Sequence, residues 1–192
     1  KLTSDDAADV LPNGRELLCA GYAIYGPSTM LVLTLGDRVD GFTLDTSTDS
    51  FVLTHPNMTI PKQACEFAIN VSRLRHWDKT IQRYVADCIE GPNGVREKPF
   101  NMRWTASMVA DVHRILIRGG VFLYPIDADN QQAGGKLRLL YEAMPMAMIA
   151  EVAGGGATNG RIPLLDVTAV TPHQRTSVIL GAREEIGIIR AA

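Results

Sequence analysis

The densest concentration of chemistry-bearing residues is Gly134-Gly135-Lys136-Leu137-Arg138-Leu139-Leu140-Tyr141-Glu142. If residues 137–140 are extended, Lys136 and Arg138 share a face, because strand side chains alternate. Two cations on one face can hold a phosphate or a carboxylate; the same pattern also describes two solvated charges on an edge strand. Glu142 ends the apolar run where a helix of small and apolar residues begins. A carboxylate there caps the helix dipole. It also suits Mg²⁺, which takes one or two protein carboxylates and completes its shell with substrate phosphate.

A second candidate is Asn101-Met102-Arg103-Trp104. The Arg103 guanidinium matches phosphate geometry, and a surface arginine stacked on an aromatic fits equally. Asp111 and His113 are two residues apart in a helical stretch and do not face each other, so His113 reads as a satisfied helix histidine. His173 follows Pro172 in a loop without a recognisable partner, and Asp166 reads as a turn residue. Neither a nucleophile elbow nor zinc-ligand spacing occurs, and no catalytic nucleophile, acid or base is assigned.

These residues need elements to position them. Residues 29–35, 41–44 and 51–54 are short runs rich in Val, Leu, Phe and Thr, separated by turn-forming residues. They predict an antiparallel meander, with residues 67–70 as a further strand. Residues 78–89 predict a helix capped by Asp78, with Ile81, Tyr84, Val85 and Cys88 on its apolar face. Residues 107–118 predict another, with a stripe of Met108, Val109, Val112, Ile115 and Leu116, ended by Gly119-Gly120. Residues 121–124 form a strand closed by Pro125, and 126–135 a polar loop. A short strand over 137–140 leads into a helix running from near Glu142 to Val152, with Pro145 in its first turn. Residues 164–167 and 177–180 read as strands and 183–189 as a last helix. The fold class is α+β, with stacked sheet and helix layers.

Composition narrows the function. The chain has 192 residues and a formal charge of −2, from 19 basic and 21 acidic side chains. The length suits one domain, or one large half of a composite domain. No basic stripe points to nucleic acid, and no apolar run approaches the ~20 residues of a membrane span. Cys19, Cys65 and Cys88 lack metal-like spacing and read as buried, reduced thiols, which implies a reducing, cytoplasmic setting. The sequence opens at Lys1 and its first methionine is Met30, so it is expected to be part of a longer protein.

Several motifs occurring in order carry a resemblance. They are Gly21-Tyr-Ala-Ile-Tyr-Gly26 with Ser28-Thr-Met-Leu-Val32, Ser107-Met-Val-Ala-Asp-Val-His-Arg114, Gly119-Gly-Val-Phe-Leu-Tyr-Pro125, Gly135-Lys-Leu-Arg-Leu-Leu-Tyr-Glu142 with Pro145-Met-Ala147, and His173-Gln-Arg175. Together they resemble the carboxy-terminal half of Mg²⁺-dependent (class 1) fructose-1,6-bisphosphatases, over residues 20–181. The resemblance implies the layered α-β-α-β-α fold of the inositol-phosphatase superfamily. It implies a lead-in segment over residues 1–20, from a missing amino-terminal half, and a sugar-phosphate-binding domain over 21–192. It also implies hydrolysis of the 1-phosphate of fructose 1,6-bisphosphate in the complete enzyme. This half would bind the sugar and its 6-phosphate.

Residue by residue, Glu142 matches a metal ligand, Lys136 a lysine on the sugar and its phosphate, and Asn70 and Tyr124 ligands of the 6-phosphate. Arg103 matches an arginine that reaches the neighbouring subunit's 6-phosphate, and Met108 a residue lining the sugar pocket. With Trp104 and Arg138 these complete the expected substrate-binding set. The implied cofactor is Mg²⁺. The implied partners are fructose 1,6-bisphosphate, the protein's own amino-terminal half, and further copies in a dimer or tetramer. The setting would be carbohydrate metabolism, in gluconeogenesis or the Calvin cycle.

Three positions depart from the family. Trp104 stands where tyrosine is common, Arg73 where tyrosine is frequent, and Met144 where asparagine is usual. The family's metal loop, Asp-Pro-(Ile/Leu)-Asp-Gly-Ser-Ser, is not found here, so the chain alone is expected to be inactive. A bifunctional fructose/sedoheptulose bisphosphatase and a non-catalytic sugar-phosphate-binding fragment remain alternatives.

Overall fold

The computed structural model describes residues 11 and 13–191. Strands β1 (Ala20–Ile24), β2 (Met30–Thr34), β3 (Val39–Asp45) and β4 (Ser50–His55) form a four-stranded antiparallel sheet in sequence order. This is the meander that the alternating runs predict. Its inner face is formed by Ala20, Tyr22, Met30, Val32 and Val39, all buried. Its outer face carries an apolar row in register, Leu31 opposite Phe42 and Phe42 opposite Leu53.

Behind the inner face lie helices α2 (Met108–Arg118) and α3 (Met144–Val152). Behind them comes a five-stranded sheet, β6 (Asn101–Met102), β5 (Glu66–Ala68), β7 (Val121–Tyr124), β11 (Val178–Gly181) and β9 (Gly156–Thr158), in that order. Helices α1 (Lys79–Glu90) and α4 (Arg183–Ala191) cover its far side. The described residues therefore stack as sheet, helices, sheet, helices.

The five-stranded sheet explains why its strands read as unbroken apolar runs. Both of its faces are covered. Ala68, Phe122, Val178 and Leu180 pack into the core shared with α2 and α3, whereas Phe67, Val121, Leu123 and Ile179 pack toward α1 and α4. At Gly181, φ is +142° and a Cβ would meet the Gly120 carbonyl at 2.2 Å, so only glycine lets β11 and β7 close up here.

Polar contacts lock the layers. Asp78 caps α1 by accepting the Ile81 N–H at 2.9 Å. Buried Glu185 on α4 accepts Tyr84 O–H from α1 at 2.7 Å and Arg96 Nη2 at 2.6 Å. Arg15 donates to Glu151 on α3 at 2.7 Å and to Asp166 at 2.6 Å.

Three expectations need correction. Residues 164–167 do not form a strand: Leu164–Asp166 is a 3₁₀ turn after Pro163, and its apolar run exists to bury Leu164 and Leu165. Strand β8 (Leu137–Arg138) stops short of Leu140, and the chain passes through a π-helical turn, Leu139–Ala143, before α3. Cys88 is buried, but Cys19 and Cys65 are exposed at the approaches to β1 and β5; all three are free. The lead-in expected over 1–20 lies largely outside the described residues. Among the described residues, no helix is long and apolar enough to cross a membrane.

Candidate functional site

Strands β5, β6 and β7 run parallel, so their carboxyl ends open on one side, where ligands of parallel sheets bind. Past the end of β5, Asn70 begins the 3₁₀ turn Val71–His76, which presents Arg73. Trp104 follows β6, and Tyr124 is the last residue of β7. The opposite wall comes from the antiparallel pair of β8 (Leu137–Arg138) and β10 (Arg175–Thr176) and the preceding loop. These segments enclose a cavity of about 280 Å³ lined by Asn70, Arg73, Trp104, Tyr124, Lys136 and Arg175, with Asp127 and Asp129 on the same wall.

Each side chain is placed by a local cause. Asn70 Oδ1 accepts the Ser72 hydroxyl at 2.7 Å, which leaves its amide N–H₂ donors for another acceptor. Trp104 stacks on Phe122 with ring centroids 6.0 Å apart and planes 15° apart, and tilts against Tyr124. Lys136 follows Gly135, where φ is +132° and a Cβ would lie 2.4 Å from the Thr176 backbone. Only glycine lets this strand pair close and deliver Lys136. The loop before it is pinned by Asp127, whose Oδ1 accepts the N–H groups of Asp129 and Asn130 at 3.0 and 3.1 Å.

Charge in the cavity is unevenly compensated. Arg73 donates through Nε to Asp127 at 3.1 Å and through Nη2 to Asp129. That guanidinium holds the Asp129 carboxyl below the usual carboxylate range. Among the described residues, Lys136 and Arg175 have no carboxylate partner. Aromatic walls, amide and hydroxyl donors and unpaired cations suit an anionic, partly apolar ligand such as a sugar phosphate.

Asn70, Trp104, Tyr124 and Lys136 thus converge, and four other expected residues lie outside this wall. Arg138 sits opposite Arg175 in the β8–β10 register, beside the cavity. Glu142 lies in the π-helical turn, where Oε2 accepts the Arg138 backbone N–H at 2.6 Å. Met108 opens α2 and packs against the main core. Arg103 follows β6, with its side chain 54% exposed and its Nε 4.0 Å from Glu66. The expected set omitted Arg73, Arg175, Asp127 and Asp129. Arg175 was visible in the His173-Gln-Arg175 motif; the two aspartates in a polar loop gave no periodic signal.

Among the described residues, no group of three or more His, Cys, Asp or Glu side chains converges. Glu142 retains one carboxylate oxygen outside its bond to Arg138, enough for one ligand of a hard cation and short of a complete site.

The layer order and the cavity at the strand ends define a layered α/β protein with a site suited to an anionic ligand. Residues 60–192 match the family described as fructose-1-6-bisphosphatase, C-terminal domain, and residues 2–56 match the corresponding N-terminal domain. The chain belongs to the fructose-1,6-bisphosphatase family. Among solved structures it is similar to Leishmania major fructose-1,6-bisphosphatase in holo form, at 42% identity and TM-score 0.88, covering 94% of this chain and 58% of that one. The T-state of that enzyme matches at 41% identity and TM-score 0.91, covering 100% of this chain and 59% of that one. Its apo form matches at 41% identity and TM-score 0.91, covering 100% and 60%. The chain therefore spans 58–60% of the length of the enzyme it resembles.

Proposed function

We propose that this chain is the sugar-phosphate-binding part of a fructose-1,6-bisphosphatase, which hydrolyses the 1-phosphate of fructose 1,6-bisphosphate to fructose 6-phosphate and phosphate. The observation that carries this reading is the convergence of Asn70, Trp104, Tyr124 and Lys136 from separate segments on one cavity. In this reading Lys136 and Arg175 bind the phosphate that does not react, with N–H and O–H donors from Asn70 and Tyr124. Trp104 closes the apolar side. Fixing the remote phosphate holds the sugar so that its other phosphate is presented in a constant place, which can supply a large share of catalysis.

Glu142 contributes one carboxylate to a Mg²⁺ site whose other protein ligands lie outside the described residues. When bound, Mg²⁺ supplies charge neutralisation at a phosphoryl group and a more acidic bound water. Arg103 reaches out from the surface toward a second copy, and its exposure supports that role. The apolar outer row Leu31, Phe42 and Leu53 supports packing of the remainder of the amino-terminal domain against the four-stranded sheet.

The test is turnover by the full-length protein. It is expected to hydrolyse fructose 1,6-bisphosphate with Mg²⁺, the 192-residue chain alone to show negligible activity, and Arg103→Ala to raise KM more than it lowers kcat. A full-length protein that binds the bisphosphate without hydrolysing it would replace this reading with a non-catalytic one.

A further inference from the structure

Arg73 differs from the other cations of the cavity in being held twice. Its Nε donates to Asp127 Oδ2 at 3.1 Å and its Nη2 to Asp129 Oδ2. The two carboxylates are not equivalent. The Asp127 side chain is 9% exposed and its second oxygen is bonded to two backbone N–H groups of its own loop, so it is fixed. The Asp129 side chain is 64% exposed at the cavity rim, and Arg73 is its side-chain partner. A guanidinium has five N–H donors in a planar fork. Asp127 takes Nε and Asp129 one donor of the outer edge formed by Nη1 and Nη2; among the described residues the remaining donors have no side-chain acceptor, and Arg73 lines the same cavity as Lys136 and Arg175.

An anion resting on Lys136 and Arg175 shares the cavity with a third cation, which a like charge already occupies. A phosphoryl dianion offers more charge and more acceptor oxygens than one carboxylate, so it can take the outer edge of the fork in a bidentate contact. Displaced Asp129 turns out to solvent at little cost, since exposed ion pairs are weak. Asp127 remains in place and keeps the guanidinium aimed. We infer that Arg73 is a third anion-binding side chain of this cavity, positioned by Asp127, and that Asp129 is a built-in competitor which a bound phosphoryl group displaces. This inference rests on the sugar-phosphate reading of the cavity. It assigns the loop at 127–130 a part in setting affinity: the exchange weakens binding below what three free cations would give and favours dianionic phosphate over singly charged ligands.

The experiment is calorimetric titration of the full-length protein with fructose 6-phosphate, with thermal melts to confirm folding. Asp129→Asn is expected to tighten binding about threefold, the scale of one exposed like charge. Arg73→Gln is expected to weaken it about tenfold or more, the scale of a lost charge-assisted hydrogen bond. In the Arg73→Gln background the gain from Asp129→Asn should shrink, because the two residues act as one unit; a merely structural loop would show no such coupling. Unchanged or weaker binding by Asp129→Asn overturns the inference. If that happens while Lys136→Ala still weakens binding, the cavity reading survives and only the competitor role falls. If the wild-type protein binds no fructose 6-phosphate, both fall.

Discussion

Arg138 and Arg175 stand directly opposite each other in the antiparallel pair of β8 and β10, so their side chains share one face of the sheet. Like charges in that relationship cost stability. A fold that keeps them is better explained by an anion they serve than by their contribution to folding. Arg138→Ala is therefore expected to leave the melting temperature unchanged or raise it, by the equivalent of up to ~1 kcal/mol, while weakening sugar-phosphate binding. Thermal melts beside a binding titration check this. A lowered melting temperature with unaltered binding would mark Arg138 as structural.

Glu142 serves two geometries at once, accepting the Arg138 N–H through one oxygen and keeping the other. Glu142→Gln preserves a carbonyl acceptor for that N–H and removes the charge. Its stability cost should be at most ~1 kcal/mol, the range of a cap. In the full-length enzyme it should cut kcat strongly and raise the Mg²⁺ concentration needed for half activity. A Mg²⁺ titration of wild type and variant measures both, and an unshifted curve with near-normal kcat would leave Glu142 as a cap only.

Tyr22 on β1 and His113 on α2 join the outer sheet to the helix layer through a 2.9 Å contact between the phenol and Nδ1. Burial, with His55 nearby, lowers the His113 pKa from its ordinary 6.5, and burial raises that of Tyr22. The contact then joins a neutral phenol to a neutral imidazole, and the tautomer sets which of the two donates. A histidine whose folded pKa is depressed binds fewer protons folded than unfolded, so its contribution is intact above the unfolded value and is lost as pH falls toward the folded one. Stability should decline as pH drops below about 6.5, and His113→Gln should flatten that part of the profile. Melts across this range in wild type and variant give the answer; parallel profiles would remove His113 from the explanation.

The sequence disclosed elements better than faces. Asp78 and the spacing of Ile81, Tyr84, Val85 and Cys88 define α1 because that helix buries one stripe, and a stripe has a period. β7 lacks a comparable signal: Phe122 and Leu123 point into different cores but are equally apolar. β9 gives no sequence signal because Gly156 and Ala157 pair through backbone and small side chains. The run at Leu164 predicts a strand, since apolar spacing over four residues does not separate a buried turn from a buried strand. For the cavity, Lys136 and Arg138 stood out by local spacing. For Asn70, Tyr124 and Trp104 only the family resemblance implies a place in the site. The Arg73–Asp127 pair joins residues 54 apart, a distance over which local pattern carries no information.

The cavity is expected to bind a phosphorylated sugar through Lys136. Calorimetric titration of the full-length protein with fructose 6-phosphate, wild type against Lys136→Ala, tests it most directly. Saturable binding with one ligand per chain is expected, weakened about tenfold or more in the variant, the scale of a charge-assisted contact worth about 1.5–3 kcal/mol. No binding by the wild type, or equal affinity in a correctly folded Lys136→Ala protein, would contradict it.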